Sequence, residues 1–239
     1  MCTGRTERNW RRGRDSNPRY VAVNLISSQA HSTTLPPLRR VATRGNYSVF
    51  GKLADPFTAG FQVRIPSWTN EAAPRDAALL DAIRARRGGK FINLDLALLW
   101  SEPLARGWNA LLGAVRREFA VSPRLKELAI CTVARLTGAD YEFIHHWPEY
   151  VHAGGSDALR DKLDDPVRAL DDYAFSGDER LVMRYAFTMT REVQVPDALF
   201  AQVRGRFSET EVVELTAAIA AYNMVARLLV ALEVEKERK

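Results

Sequence analysis

Groups suited to proton transfer are concentrated in one stretch of the chain, residues 124–156. Three of the four histidines fall within eight residues there, and two glutamates belong to the same stretch. These residues are Glu127, Glu142, His145, His146 and His152. Imidazole titrates near neutral pH, and a neighbouring carboxylate can orient or charge it. The stretch therefore predicts a small polar site for acid–base chemistry.

The same histidines could hold a metal ion, but their spacing does not favour one. His145 and His146 are adjacent and so point to different sides of a helix, while His152 lies beyond Pro148. The two cysteines of the chain do not have metal-ligand spacing, and the sequence has no glycine-rich phosphate loop. We therefore expect neither a metal nor another cofactor.

A first predicted helix carries Glu127. Residues 126–136 have the rhythm of a buried helix, with Pro123 suited to its first turn and Gly138 to its end. Cys131 lies in the middle of this helix, between apolar neighbours that would raise the pKa of its thiol. We expect it to be a core residue.

A second predicted helix carries the histidine pair. Asp140 is expected to be its N-cap, which places Glu142 in the first turn and His146 one turn later on the same face. Pro148 cannot donate a backbone hydrogen bond, so this helix should be kinked or interrupted just past His146.

Further helices are predicted from helical spacing and capping residues. They cover residues 76–87, 104–119, 157–163, 176 or 178 to 191, 196–203 and 208–234. Residues 93–100 are too few to decide between helix and strand. Because no pair of alternating strands is visible, the fold class is all-α, with about eight helices in one domain over residues 58–239.

Residues 1–57 have no periodic apolar face and are expected to form a disordered, dispensable extension. Residues 1–52 carry a net charge of +8. Because the net charge of the whole chain is +5, residues 53–239 carry −3. The extension could be an RNA-binding arm or an inert flexible segment. A third interpretation is a start assigned too far upstream, because residues 13–19 resemble a translated complement of a transfer-RNA gene.

The composition outside this extension limits the partners and the compartment. The acidic balance after residue 52 offers no phosphate-binding stripe, so no nucleic acid is expected there. Two cysteines indicate a reducing cytoplasm more than secretion. The apolar run 215–234 is broken by Asn223 and Arg227, so it predicts a buried helix and no membrane span.

Residues 126–156, KELAICTVARLTGADYEFIHHWPEYVHAGGS, resemble the signature of the carboxymuconolactone decarboxylase family. Residues 87–115 and 214–234 resemble the same family, so the resemblance covers roughly residues 63–235. It implies an all-helical fold shared with the AhpD-like (alkylhydroperoxidase D-like) proteins. It also implies a homotrimer or homohexamer, for which the apolar faces of residues 104–115 and 215–234 offer surface.

The peroxidase branch of that fold has a glutamate, a Cys-x-x-Cys pair beginning twelve residues later, and a histidine four residues after the second cysteine. Glu127 and His146 match the glutamate and the histidine with this spacing. The two cysteine positions are Ala139 and Glu142, so the redox pair is missing. A thiol peroxidase cycle needs those groups, and Cys131 does not replace them.

The resemblance then implies a cofactor-free lyase of the decarboxylase branch, acting on a small cyclic carboxylic acid or lactone. In this interpretation His146 donates a proton, Glu127 orients or charges it, and Glu142 is a second acid or base. Weaker candidates for contact with substrate are Tyr141, His145, Arg135, Asn223 and Arg227, the last two as an anion-binding group.

Several of these residues have simpler interpretations. Glu127 could pair with Arg124 or Lys126 on a surface, and His145 could be a solvated helix position. Arg227 could extend its charge out of a subunit interface. Two other functions also remain open: antioxidant peroxidase activity, and a catalytically silent oligomeric binding protein.

Overall fold

Helices make up all the regular structure of residues 64–237, the part of the chain that this computed structural model describes. This range contains nine α-helices and two short 3-10 segments, and it contains no strand. The helices are α1 (Ala77–Arg87), α2 (Asn93–Leu98), α3 (Glu102–Arg117), α4 (Pro123–Thr137), α5 (Asp140–His152), α6 (Pro166–Ala169), α7 (Gly177–Arg191), α8 (Asp197–Arg206) and α9 (Glu209–Leu232). The predicted all-α class is confirmed. The predicted extension over residues 1–57 lies outside the described residues.

Helix α4 is the centre of the core. Eleven of its fifteen residues are buried, and it packs against α5, α7 and α9. A helix that is covered on nearly every side must lie inside the molecule. Pro123 occupies its first position, and Gly138 ends it with a φ of 70°, a conformation that favours glycine. Glu127 therefore belongs to the most enclosed element of the fold.

Helix α5 follows α4 after a very short connection. Asp140 is not its N-cap, and the interruption predicted as one possible effect of Pro148 does not occur. Ala139 is its N-cap, because the Asp140 carboxylate is directed at Arg135, 3.7 Å away, and accepts no capping hydrogen bond. The helix also continues past Pro148 to His152 without interruption. Proline removes only one donor, and the side chains on either side of it, Trp147 and Tyr150, are fully buried and hold the helix in place.

Two other segments differ from expectation. The helix predicted over residues 157–163 is instead two 3-10 segments, Asp157–Leu159 and Asp161–Asp164. The Asp157 carboxylate accepts a hydrogen bond from Nε1 of Trp147 on α5 at 2.7 Å. This contact fixes the start of the segment against α5, and Asp157 does not begin a longer helix. The undecided residues 93–100 form α2.

Helix α9 is the longest element and begins at the predicted capping box. The Ser208 hydroxyl and the Glu211 carboxylate exchange hydrogen bonds with each other's backbone N–H groups. By length and composition alone, α9 could cross a membrane, but that is weak evidence because a core helix passes the same test. Its buried residues pack on α4, and 44% of its most apolar stretch is buried inside the protein.

Candidate functional site

The imidazole of His146 lies between two carboxylates inside the protein. Its Nδ1 is 2.6 Å from Oε2 of Glu127 on α4, a hydrogen-bonding distance. Its Nε2 is 3.0 Å from Oε2 of Glu142, one turn earlier on α5. All three side chains are less than a tenth exposed. The sequence predicted that these residues would meet, and they form what we call the histidine–carboxylate triad.

The triad favours a protonated imidazole. Burial by itself lowers the pKa of His146, but Glu127 and Glu142 outweigh it and raise this pKa to about 9. Burial likewise opposes ionisation of Glu127, yet the hydrogen bond with His146 holds the pKa of Glu127 below its usual value. Both shifts express the same ion pair, so His146 carries a proton at neutral pH.

The two carboxylates are not equivalent partners of the histidine. Glu127 makes a short hydrogen bond, whereas the contact of Glu142 falls short of hydrogen-bond geometry. Oε2 of Glu142 is buried and has no hydrogen-bond partner within residues 64–237. The surface pairing considered for Glu127 is wrong, since Arg124 lies 3.9 Å from Glu179 and Lys126 donates to backbone carbonyls of α3.

A small inner cavity adjoins the triad. Its volume is about 30 Å³, enough for roughly one or two water molecules. Glu142 and His146 form part of its wall, and Tyr222 of α9 stands edge-on to the imidazole with ring centroids 4.7 Å apart. Burial first and then Glu142 raise the pKa of the Tyr222 phenol, which stays a neutral donor. Glu142 and His146 thus border a small space with polar and aromatic walls, whereas Glu127 does not line it.

An outer cleft of about 440 Å³ shares Arg86, Arg87, Arg116 and His145 with the walls of the inner cavity. Arg117 completes its basic wall, and we call this space the arginine cleft. None of these four arginines was predicted from the sequence. The signal that could have found them is the Arg-Arg pair that ends each of α1 and α3.

Asp95 of α2 fixes the first arginine pair. Its carboxylate, which is 1% exposed, accepts from Arg86 at 3.1 Å and from Arg87 at 3.0 Å. Nε of Arg86 also donates to Oδ1 of Asn109 at 2.5 Å. Two buried guanidinium groups therefore share one carboxylate, which leaves this part of the wall with an excess positive charge.

Tyr141 and His145, two of the residues predicted as weaker substrate contacts, lie at the rim of the site. Both line the inner cavity, and their rings stack with centroids 4.4 Å apart. Glu237, near the end of the chain, accepts a hydrogen bond from the Tyr141 hydroxyl at 2.5 Å and lies 3.1 Å from Nε2 of His145. The residues after α9 therefore brace the rim.

Three residues predicted to contact substrate, Arg135, Asn223 and Arg227, line neither the inner cavity nor the arginine cleft. Arg135 points away from both cavities, where it pairs with Asp164 at 2.5 Å and covers the ring of Phe143. Arg227 donates to the Asn223 side chain at 2.7 Å, and Asn223 in turn donates to the Thr190 hydroxyl. These two side chains satisfy one another on the outer side of α9. Neither lines the inner cavity or the arginine cleft.

The remaining histidine and cysteine of the stretch take no part in the triad. His152 is exposed at the end of α5. Cys131 is fully buried in the core, and burial raises the pKa of its thiol well above the usual value. Its predicted place in the core is confirmed.

No protein-family model and no curated protein matches this sequence. Solved structures do match the fold. A peroxidase-related protein with an alkylhydroperoxidase AhpD core from Ralstonia eutropha JMP134 aligns with a TM-score of 0.61 and 16% identity, covering 74% of this chain and 94% of the other. A peroxidase-related protein from Silicibacter sp. TM1040 aligns with a TM-score of 0.58 and 15% identity, covering 73% and 88%.

A third structure is the debrominase Bmp8 in complex with 2,3,4-tribromopyrrole, with a TM-score of 0.58 and 16% identity over 72% of this chain and 90% of the other. Identities this low carry the fold and not the chemistry. The architecture predicted from the residues agrees with these alignments. The chain therefore has the all-α fold of the AhpD-like proteins.

Proposed function

We propose that the protein is a cofactor-free carboxy-lyase of the carboxymuconolactone decarboxylase type, acting on a small cyclic carboxylic acid or lactone. One observation carries the proposal: a protonated, buried His146 held between Glu127 and Glu142 beside a cavity. A proton donor shielded from bulk water, with a defined carboxylate on each side, suits proton delivery to carbon.

The reaction that fits this site breaks the bond between the ring carbon and its carboxylate. The electron pair of that bond passes to the adjacent lactone carbonyl as an enolate, and carbon dioxide leaves. The enolate then takes one proton at carbon, and solvent returns one proton to the site, so charge and atoms balance. Tyr222 and the arginine cleft supply donors for the transient oxyanion.

The geometry divides the roles within the triad. Both ring nitrogens of His146 are occupied by carboxylates, so the imidazole stores the proton and does not touch substrate itself. Glu127 keeps the imidazole charged and oriented. Glu142 pairs with Nε2 of His146 through Oε2 and also lines the inner cavity, so it is the group that passes the proton onward.

Antioxidant peroxidase activity is the main alternative, because two of the structures with this fold have peroxidase-related names. Peroxide reduction by a thiol peroxidase requires a thiolate. Cys131 is the only cysteine after residue 2, and burial keeps its thiol protonated. The lyase is therefore the better supported proposal, and a catalytically silent oligomeric binding protein is the outcome if no substrate turns over.

The direct test measures carbon dioxide release from a carboxymuconolactone and, in parallel, thiol-dependent peroxide reduction. We expect lactone decarboxylation by the wild type and by Cys131→Ser, and little with His146→Asn. Peroxide turnover that disappears in Cys131→Ser while His146→Asn stays active would overturn the proposal. Absence of both activities, with lactone still bound, would favour a binding protein.

We further propose a cytoplasmic homotrimer or homohexamer. Leu104 and Leu111 lie two turns apart on α3 and are 41% and 45% exposed, which is unusual for paired leucines on one helix face. A second copy would cover them. Sedimentation velocity at micromolar concentration should give a mass of three or six chains. A monomer there would contradict this part of the proposal.

A further inference from the structure

The arginine cleft contains more positive charge than its own carboxylates neutralise at close range. Asp95 serves both Arg86 and Arg87, and Arg116 approaches Glu149 only to 3.9 Å. Glu127 also lines the cleft, but its carboxylate is paired with His146. Arg117 has no ion pair within residues 64–237. Several guanidinium N–H groups therefore face the cleft without an acidic partner at hydrogen-bond distance.

We propose that Arg116 and Arg117 bind the carboxylate of a small organic anion in this cleft, with the Arg86–Asp95–Arg87 cluster as its fixed basic floor. The identification of that anion as the substrate rests on the proposed lyase function. Guanidinium groups recognise carboxylates through paired, parallel hydrogen bonds, which gives orientation as well as attraction.

Rigid elements position these arginines. The buried ammonium of Lys126 donates to the carbonyls of Val115 at 2.9 Å and Arg116 at 3.1 Å, so it fixes the last turn of α3. Arg86 is held by Asn109 and Asp95 on the opposite side of the cleft. The backbone that carries Arg116 and Arg117 and the side chains of Arg86 and Arg87 are thus already in place when a ligand arrives, which limits the conformational entropy lost on binding.

Electrostatics supports the same assignment. Burial, and after it repulsion from Arg87, lowers the pKa of the Arg86 guanidinium even though Asp95 acts in the opposite direction. A bound anion would relieve this repulsion. The triad has a formal charge of −1 with His146 protonated, so a carboxylated substrate needs the arginines to approach it.

The size and connection of the two spaces fit a small anion. The inner cavity holds only about one or two waters, whereas the cleft of about 440 Å³ can take a small cyclic acid. Because the two share Arg86, Arg87 and Arg116 as wall residues, a ligand in the cleft lies next to the triad. One carboxylate at Arg116 and Arg117 would leave the rest of the ligand facing Glu142.

The test measures binding of succinate, a simple dicarboxylate, and of its neutral diamide by titration calorimetry with the full chain. We expect succinate to bind and the diamide not to bind. The double variant R116Q/R117Q should weaken succinate binding by about tenfold or more, since each charge-assisted pair contributes on that scale. R168Q removes an exposed arginine outside the cleft and should bind succinate normally.

Single R117Q keeps the test decisive if the double variant loses its fold, because this exposed residue makes no ion pair within the described range. Equal succinate binding by wild type, R117Q and the double variant would overturn the proposal.

His146→Asn should retain succinate binding. In the wild type, succinate binding without any lactone turnover would refute the lyase and keep the anion site. Lactone turnover with an unchanged KM in R117Q would refute the anion site and keep the lyase.

Discussion

Helix α5 places two adjacent histidines in opposite environments. His146 faces α4 and α9, is 2% exposed, and contacts a carboxylate through each ring nitrogen. His145 faces the rim, where about a third of its side chain is exposed and its ring stacks on Tyr141. Its carboxylate partner is Glu237, close to the end of the chain.

The comparison shows that residue type does not set the chemistry. Both histidines touch a carboxylate, but the ion pairs of His146 are buried. Burial alone lowers the pKa of His146, and Glu127 and Glu142, unscreened by water, outweigh it and raise this pKa to about 9. The ion pair between His145 and Glu237 is partly exposed, so solvent screens it and it contributes little to the stability of the fold.

The largest effect is expected from the inner histidine. His146→Asn should lower lactone turnover by roughly two to four powers of ten, the usual contribution of a positioned acid or base. His145→Asn is the matched control and should change turnover by less than about tenfold. Steady-state kinetics on the two variants measures the difference. Similar losses in both would erase the contrast between the two histidines.

Glu127→Gln tests whether the triad acts as one unit. It should lower turnover by roughly two to four powers of ten, since the imidazole loses the negative charge that keeps it protonated. The double variant with His146→Asn should lose much less than the sum of the single effects. Additive losses would mean that the two residues act independently.

The next effect concerns stability at alkaline pH. The pKa of His146 is raised from 6.5 to about 9 in the folded protein, so its proton stabilises the fold fully below pH 6.5. This contribution should disappear as the pH rises through about 9, and its size is on the order of a few kcal/mol. Urea unfolding across this range should show the loss in the wild type.

The matched measurement uses His146→Asn, in which this part of the pH dependence should be absent. His145→Asn should keep the wild-type profile, since its exposed ion pair is screened by solvent. If His146→Asn loses as much stability at alkaline pH as the wild type does, the pH dependence arises from groups other than His146.

A smaller effect is expected at the rim. Glu237→Gln replaces the carboxylate that accepts from Tyr141 and from the backbone N–H of Asn93 with a neutral amide. Because this group is partly exposed, the free energy of unfolding should fall by no more than about 1 kcal/mol. Thermal unfolding checks this. A loss of several kcal/mol would show that the rim is as tightly coupled as the triad.

The smallest effect on activity is expected at the buried cysteine. Cys131→Ser should keep lactone turnover within about twofold, since the thiol has no role in acid–base chemistry. Its cost should appear in stability, about 1–3 kcal/mol, because a hydroxyl replaces a thiol in a fully buried position. Turnover lost without loss of stability would give the thiol a chemical role.

The sequence predicted the elements that carry the triad because their signals are local. Pro123 and Gly138 mark the ends of α4, and the four-residue spacing of Glu142 and His146 places them on one face. The partnership with Glu127 followed from the family spacing. The face that a helix turns towards the site depends on tertiary packing and not on local sequence. Asn223 and Arg227 were therefore correctly predicted to lie together, but the direction in which the pair points could not be predicted.

The arginine cleft could not be predicted from spacing. Arg86 and Asn109 are 23 positions apart, and their contact depends on how α1 and α3 pack. Basic residues in the last turn of a helix also have an ordinary interpretation, favourable interaction with the helix dipole. Only the fold distinguishes that role from a cleft wall.

The short contact between Nδ1 of His146 and Glu127 has a spectroscopic consequence. The proton on Nδ1 lies in a hydrogen bond of 2.6 Å that is closed to solvent, so it should give a strongly deshielded NMR signal with slow exchange. Because Glu142 occupies the other side of the ring, a flip of the imidazole would break both contacts. The ring orientation, and with it the identity of each nitrogen, is therefore locked in the resting protein.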